Sequence, residues 1–174
     1  LKYPIGKFKA AERYLTALSQ VWIQEIYDLP VALDKLLPSL HETNLGWRYR
    51  PEGWTIRQVI HHLTDSHMNC IIRFKLSLTE DSPTIRPYYE ERWAELPDSK
   101  VMPIADTLSL LTGLQHKMAY VMKNLTKEEL EKVYIHPEHG RTFSLKEAIG
   151  LYAWHGNHHL AHIKQAIENG GRWG

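Results

Sequence analysis

The chain is 174 residues long, 43% hydrophobic and 24% charged. That suits a globular protein of one domain, residues 1–174, able to bury its core without a staple. Its 21 Lys and Arg and 20 Asp and Glu leave a net charge of +1, with the cations scattered, which excludes a nucleic-acid binder working by counterion release from a basic stripe.

Four long segments carry apolar residues at helical spacing. The first runs from about Ala10 to Leu40, with Leu15, Leu18, Trp22, Ile26, Leu29, Leu33, Leu36 and Leu40 at three- and four-residue steps. Pro30 inside it predicts a kink or a break, and residues 42–53 read as loop. The second helix opens at Thr55, an N-cap with Gln58 as its capping-box partner. Its apolar face is Ile56, Val59, Ile60, Leu63, Ile71, Phe74 and Leu78, and Asp81, Ser82 and Pro83 end it. A loop from Glu80 to Met102 follows, carrying Tyr88, Tyr89 and Trp93; loops this long are commonly functional. The third helix starts at Pro103, which suits a first-turn position, and shows Leu108, Leu111, Met118, Val121 and Leu125. Val133 to Phe143, with a Glu-His-Gly turn at its centre, predicts a short β-hairpin. The fourth helix starts at Ser144, with Glu147 completing a second capping box, and stops at Asn169-Gly170-Gly171. The fold class is all-α: a four-helix bundle with one short hairpin before the last helix.

The histidines gather in two clusters. In the fourth helix, His155 and His159 form one i, i+4 pair and His158 and His162 another. Side chains so spaced lie about 40° apart, with Cβ atoms roughly 6 Å apart. Two imidazoles can then hold one ion at about 2.0–2.1 Å from each nitrogen. The apolar stripe is Leu145, Ile149, Tyr152, Leu160, Ile163 and Ile167. His159 and His155, roughly 60° and 100° from its centre, border the core. His162 and His158, roughly 120° and 160° away, point toward solvent. The second helix adds His61, His62 and His67. His67 falls on the centre of its stripe and reads as a core histidine; His62 lies on the flank. Helical phase by itself leaves both open as the third ligand. The pair is not the zinc-protease His-Glu-x-x-His, because Gly156 replaces the glutamate base.

Cys70 is the only cysteine. An intrachain disulfide and a thiolate metal cluster are excluded, and a reducing, cytoplasmic setting is expected. Leu1 to Lys9 lacks a signal-peptide apolar run, and no stretch approaches the ~18 apolar residues of a membrane span.

Four stretches carry a family resemblance. They are Tyr3-Pro4-Ile5-Gly6; Tyr49 to Asn69, with its His61-His62-Leu63-Thr64-Asp65; Arg73 to Glu80, followed by Ile85-Arg86-Pro87-Tyr88; and Gly150 to His155 with His158 to Ile163. Through them nearly the whole chain resembles the YfiT-like branch of the DinB superfamily. The resemblance implies a four-helix bundle of unusual connectivity, a homodimer and a cytoplasmic location. It also implies one divalent metal ion held by His62, His155 and His159, with zinc the expected ion and nickel the alternative. Members of this branch are described as metal-dependent hydrolases, and relatives as transferases that join bacillithiol, a small cytosolic thiol, to electrophiles.

Three neutral histidines leave an ion open positions, the pattern of catalytic zinc. Those positions can activate water for hydrolysis or hold a thiol as thiolate. Asp65, one turn beyond His62, is the candidate catalytic carboxylate, able to orient a ligand histidine. The lack of a base within the ligand motifs favours transfer between a small-molecule thiol and an electrophile. Arg50, Arg57 and Arg86 are candidates for a cationic mouth, and Trp54, Trp154, Tyr88 and Tyr89 for pocket walls.

Overall fold

A computed structural model describes residues 1–11 and 16–173; Leu15 of the first apolar stripe lies outside the described residues. Helix α1 spans Thr16–Asp34, and residues 37–39 and 42–46 are separate 3₁₀ turns. Pro30 does not break α1. Proline removes one backbone donor, and the buried Ile26, Leu29 and Leu33 anchor the helix on both sides of it.

Helix α2 spans Ile56–Thr79 and opens with the expected reciprocal box. The Gln58 N–H donates to Thr55 Oγ1 at 3.2 Å, and the Thr55 N–H donates to Gln58 Oε1 at 2.9 Å. The long loop that follows contains two single-turn helices, α3 (Glu90–Trp93) and α4 (Pro97–Lys100). The first is tied to the start of α2, where Trp54 Nε1 donates to Glu91 and Gln58 Nε2 to the Ala94 carbonyl, and the second packs against α2.

Helix α5 spans Ile104–Lys123, with Pro103 as its cap rather than its first residue. After the short α6 (Lys127–Leu130), strands β1 (Val133–His136) and β2 (Arg141–Ser144) form the predicted hairpin. They pair antiparallel with Val133 opposite Ser144 and His136 opposite Arg141. The segment after α2 joins β1 through the Ile85 N–H to the Ile135 carbonyl and the Ile135 N–H to the Pro83 carbonyl.

Helix α7 spans Leu145–Glu168 and ends before Gly170 and Gly171, both left-handed at φ 58° and 74°. Its second capping box is only half made. Ser144 Oγ accepts the Glu147 N–H at 3.3 Å, but the Glu147 carboxylate takes Arg141 at 2.9 Å. The hairpin places that guanidinium within reach, and the charged partner wins.

Helices α1 and α2 each pack against both α5 and α7. The order around the bundle is therefore α1, α5, α2, α7, not the sequence order of an up-down bundle. Two apolar clusters fill it. One collects Cys70 and Phe74 of α2 with Leu145, Ile149 and Ala153 of α7. The other collects Ile56, Val59, Ile60 and Leu63 of α2 with Leu160, Ile163 and Ala166 of α7. Helices α2 and α7 thus run antiparallel, and the histidines of both fall at the level between the clusters.

Candidate metal centre

His62, His155 and His159 come together: one ring nitrogen from each lies within 4.8 Å of the others. The Nε2 atoms of His62 and His155 face each other at 3.3 Å. Nitrogens held about 2.05 Å from a tetrahedral ion sit about 3.3 Å apart, so this spacing fits a shared metal. Burial, then the neighbouring histidines, push His62 down to about 3 and hold His155 and His159 well below the usual imidazole range. All three are neutral near pH 7, the state a metal ligand needs.

Hydrogen bonds set which nitrogen of His159 is bare. His162 Nε2 lies 3.1 Å from the Lys2 carbonyl oxygen, which can only accept, so Nε2 carries the proton. Neutral His162 therefore accepts at Nδ1. His159 Nδ1, 3.3 Å away, must be the N–H, and the lone pair of His159 is left on Nε2. A second contact reaches His155, whose Nδ1 lies 3.4 Å from His67 Nε2, while Gln115 Nε2 lies 2.6 Å from His67 Nδ1. Turning the Gln115 amide over would let Oε1 accept from His67 Nδ1 and His67 Nε2 accept from His155 Nδ1, the tautomer that leaves His155 Nε2 bare for a metal.

The DinB superfamily model matches residues 8–163. The chain belongs to the DinB superfamily. It is 52% identical over 163 residues, 94% of this chain and 93% of the relative, to a "Putative metal-dependent hydrolase" of Bacillus cereus. A protein of the same description from Bacillus thuringiensis matches equally. The solved structure of Bacillus subtilis YfiT, described as a probable metal-dependent hydrolase with an unusual four-helix bundle topology, superposes with a TM-score of 0.94 at 41% identity, covering 98% of this chain and 97% of that one.

The three histidines open onto a cleft of about 500 Å³ between α2 and α7. Its walls include Trp54, Trp154 and Tyr88, as expected of them, whereas Tyr89 is exposed elsewhere. The expected mouth of Arg50, Arg57 and Arg86 does not form. Arg57 is bound to Glu42 and the Met102 carbonyl, Arg50 lies over Tyr49, and Arg86 is exposed. The cations that line the cleft are Arg73 of α2 and Lys2 of the N-terminal segment. Sequence reasoning missed Arg73, although the signal was present: eleven residues past His62 is about 20° of net helical rotation, the same face of α2. His136, Glu138 and His139 of the hairpin also line the cleft, and no helical phase could have placed them.

The expectation that His158 and His162 face solvent is overturned: they are 7% and 2% exposed. Chain outside the bundle covers them in part: Tyr49 stacks on His162 at 3.8 Å and Tyr3 lies over His158, while Trp154 of α7 itself stacks on His158 at 4.6 Å. His67, 0% exposed, is the core histidine expected of it, with the added contact to His155. His61 ties α2 to α5 through Thr107 and the Met102 carbonyl, away from the cleft.

Asp65 is not brought into this group. Burial, then Asp98, raise its carboxyl to about 6, and it does not line the cleft. Gly156 explains the absent zinc-protease glutamate. A Cβ there would lie 3.2 Å from Leu29 of α1, so the position faces a neighbouring helix with no room for an acid.

Proposed function

We propose that the protein is a metal-dependent transferase that joins a small thiol of the bacillithiol type to electrophiles. One observation carries the reading. Three neutral imidazoles, two buried and one half-buried, open onto a cleft whose buried lining, among the described residues, has no carboxylate. Glu90 and Glu138, the two acids of the cleft, are exposed residues of its rim. Metal-activated hydrolysis commonly needs a nearby proton acceptor, whereas a thiol that arrives as thiolate does not.

Bound at these imidazoles, a divalent ion, zinc in this reading, supplies Lewis acidity and lowers the pKa of the thiol or water in its open position. The chain does the rest. The relay through His162, and the one through His67 with the Gln115 amide turned over, aim the Nε2 lone pairs of His159 and His155. Trp54 and Trp154 shield the imidazoles from bulk water, with Trp54 4.6 Å from His62. The substrate sulfur forms a bond to carbon, the leaving group departs with its electron pair, and the thiol proton passes to solvent. No protein thiol competes, since Cys70 is buried in the core and its pKa is pushed well up by that burial.

Hydrolysis is the second reading. The relatives' descriptions favour it, and so does Glu90, whose carboxyl is raised by burial and then by Glu91 and Glu138, toward the range of a general base. Zinc-loaded protein incubated with bacillithiol and a general thiol-reactive electrophile separates the two. Metal-dependent conjugation that His159→Ala abolishes supports the transferase. No conjugation above that control, with metal bound, rejects it and turns attention to ester and amide substrates.

A further inference from the structure

The cleft has a second polar end. Arg73 lies on the same face of α2 as His62 and Ser66, and all three line the cleft. Its Nη1 donates to Tyr152 Oη at 3.0 Å, its Nε is buried without a partner, and it makes no ion pair among the described residues. His136 beside it is buried, and its Nδ1 also lacks a partner. Burial, then the charge of Arg73, hold His136 at about 4, so it is neutral near pH 7 and adds no cation. A half-buried guanidinium with an unpartnered Nε and no ion pair among the described residues, on a cavity wall, is an arrangement that a planar oxyanion completes.

We propose that Arg73 anchors a carboxylate at the far end of an elongated substrate whose reacting head lies at the three histidines. This rests on the cleft being the substrate site proposed above. One guanidinium matches one negative charge, and the rim acids Glu90 and Glu138 oppose a phosphate dianion. Eleven residues of α2 rise about 16 Å. Helical side chains lean toward the N-terminus, and the arginine, longer than the imidazole, reaches further back toward His62, so the ligand spans less than that. Tyr152 fixes the guanidinium and leaves its remaining edge for the ligand.

Calorimetric titration of zinc-loaded protein tests this with two probe pairs. The first is suberic acid monohydroxamate and its methyl ester, whose hydroxamate head binds metal ions whatever the enzyme's chemistry. The second is 8-mercaptooctanoate and its methyl ester. The free acid is expected to bind about tenfold or more tighter than its ester. Arg73→Met abolishes that preference, and Arg73→Lys, which keeps the charge without the fork, retains part of it. Equal affinities of the hydroxamate acid and ester, or no binding of the acid, overturn the proposal, and this comparison needs no variant to fold. A phosphonate of equal length binding as tightly as the carboxylate overturns the choice of carboxylate. Thiols that fail to bind while the hydroxamates keep their preference reject the transferase and leave the anchor standing.

Discussion

Replacing His162 with Phe should weaken zinc binding although His162 is not a ligand. Phenylalanine keeps the aromatic ring that stacks on Tyr49 at 3.8 Å but removes the Nδ1 that accepts the His159 proton. The buried His159 Nδ1–H is then unpartnered in the only tautomer that leaves Nε2 bare, at a cost of about 1–3 kcal/mol. At 1.4 kcal/mol per tenfold, that is a loss of roughly 5- to 150-fold in zinc affinity, the range typical of groups that orient metal ligands. His162→Asn places an oxygen near the lost Nδ1 and should recover most of the loss, although it too lacks the bond to Lys2. Zinc competition against a chromophoric chelator reads the affinity. Nitrogen-15 spectra of the metal-free protein read the tautomer of His159 directly. An unchanged affinity in a folded His162→Phe protein, or a His159 protonated at Nε2 in the wild type, would refute the relay.

Three further outcomes are expected. The metal-free protein should lose stability in acid, because the pKa values of His62, His67, His136 and His162 are depressed to about 3 to 4 in the folded state. Below pH 6.5 the unfolded chain binds protons that the folded chain refuses, so each group removes about 1.4 kcal/mol per pH unit as pH falls toward its folded value. Asp65, raised to about 6, acts with opposite sign between its ordinary 3.8 and 6 and offsets part of one histidine; a urea midpoint that stays flat from pH 7.5 to 4.5 would contradict this. Asp65→Asn should raise the urea midpoint at pH 7.5 and leave zinc affinity unchanged, whereas a loss of affinity would return Asp65 to the site. Gly150→Ala, whose Cβ would meet the Trp22 ring at 2.9 Å, should cost about 1–3 kcal/mol by overpacking α7 against α1, read by thermal unfolding.

Much of the fold was legible because helix ends are written in local chemistry. Thr55 with Gln58, Ser144, and Gly170 with Gly171 act within a few residues of themselves, and each marks the boundary expected of it. Pro30 and Glu147 misled for the opposite reason. The first was outweighed by core contacts from other helices, and the second was taken by an arginine from the hairpin. The His155 and His159 pair was readable from its spacing, since one helix carries both.

By itself, then, the sequence determined what depends on near neighbours: the four helices, the hairpin, the ligand pair and the face of α2 that holds His62 and Arg73. Only the tertiary structure decided the ring order of the helices and the meeting of His62 with His155 and His159. It alone also turned His158 and His162 inward. Helical phase measures the angle of a side chain about its own axis. It carries no record of which distant segment will lie across that face, and here residues 2, 3 and 49 do so.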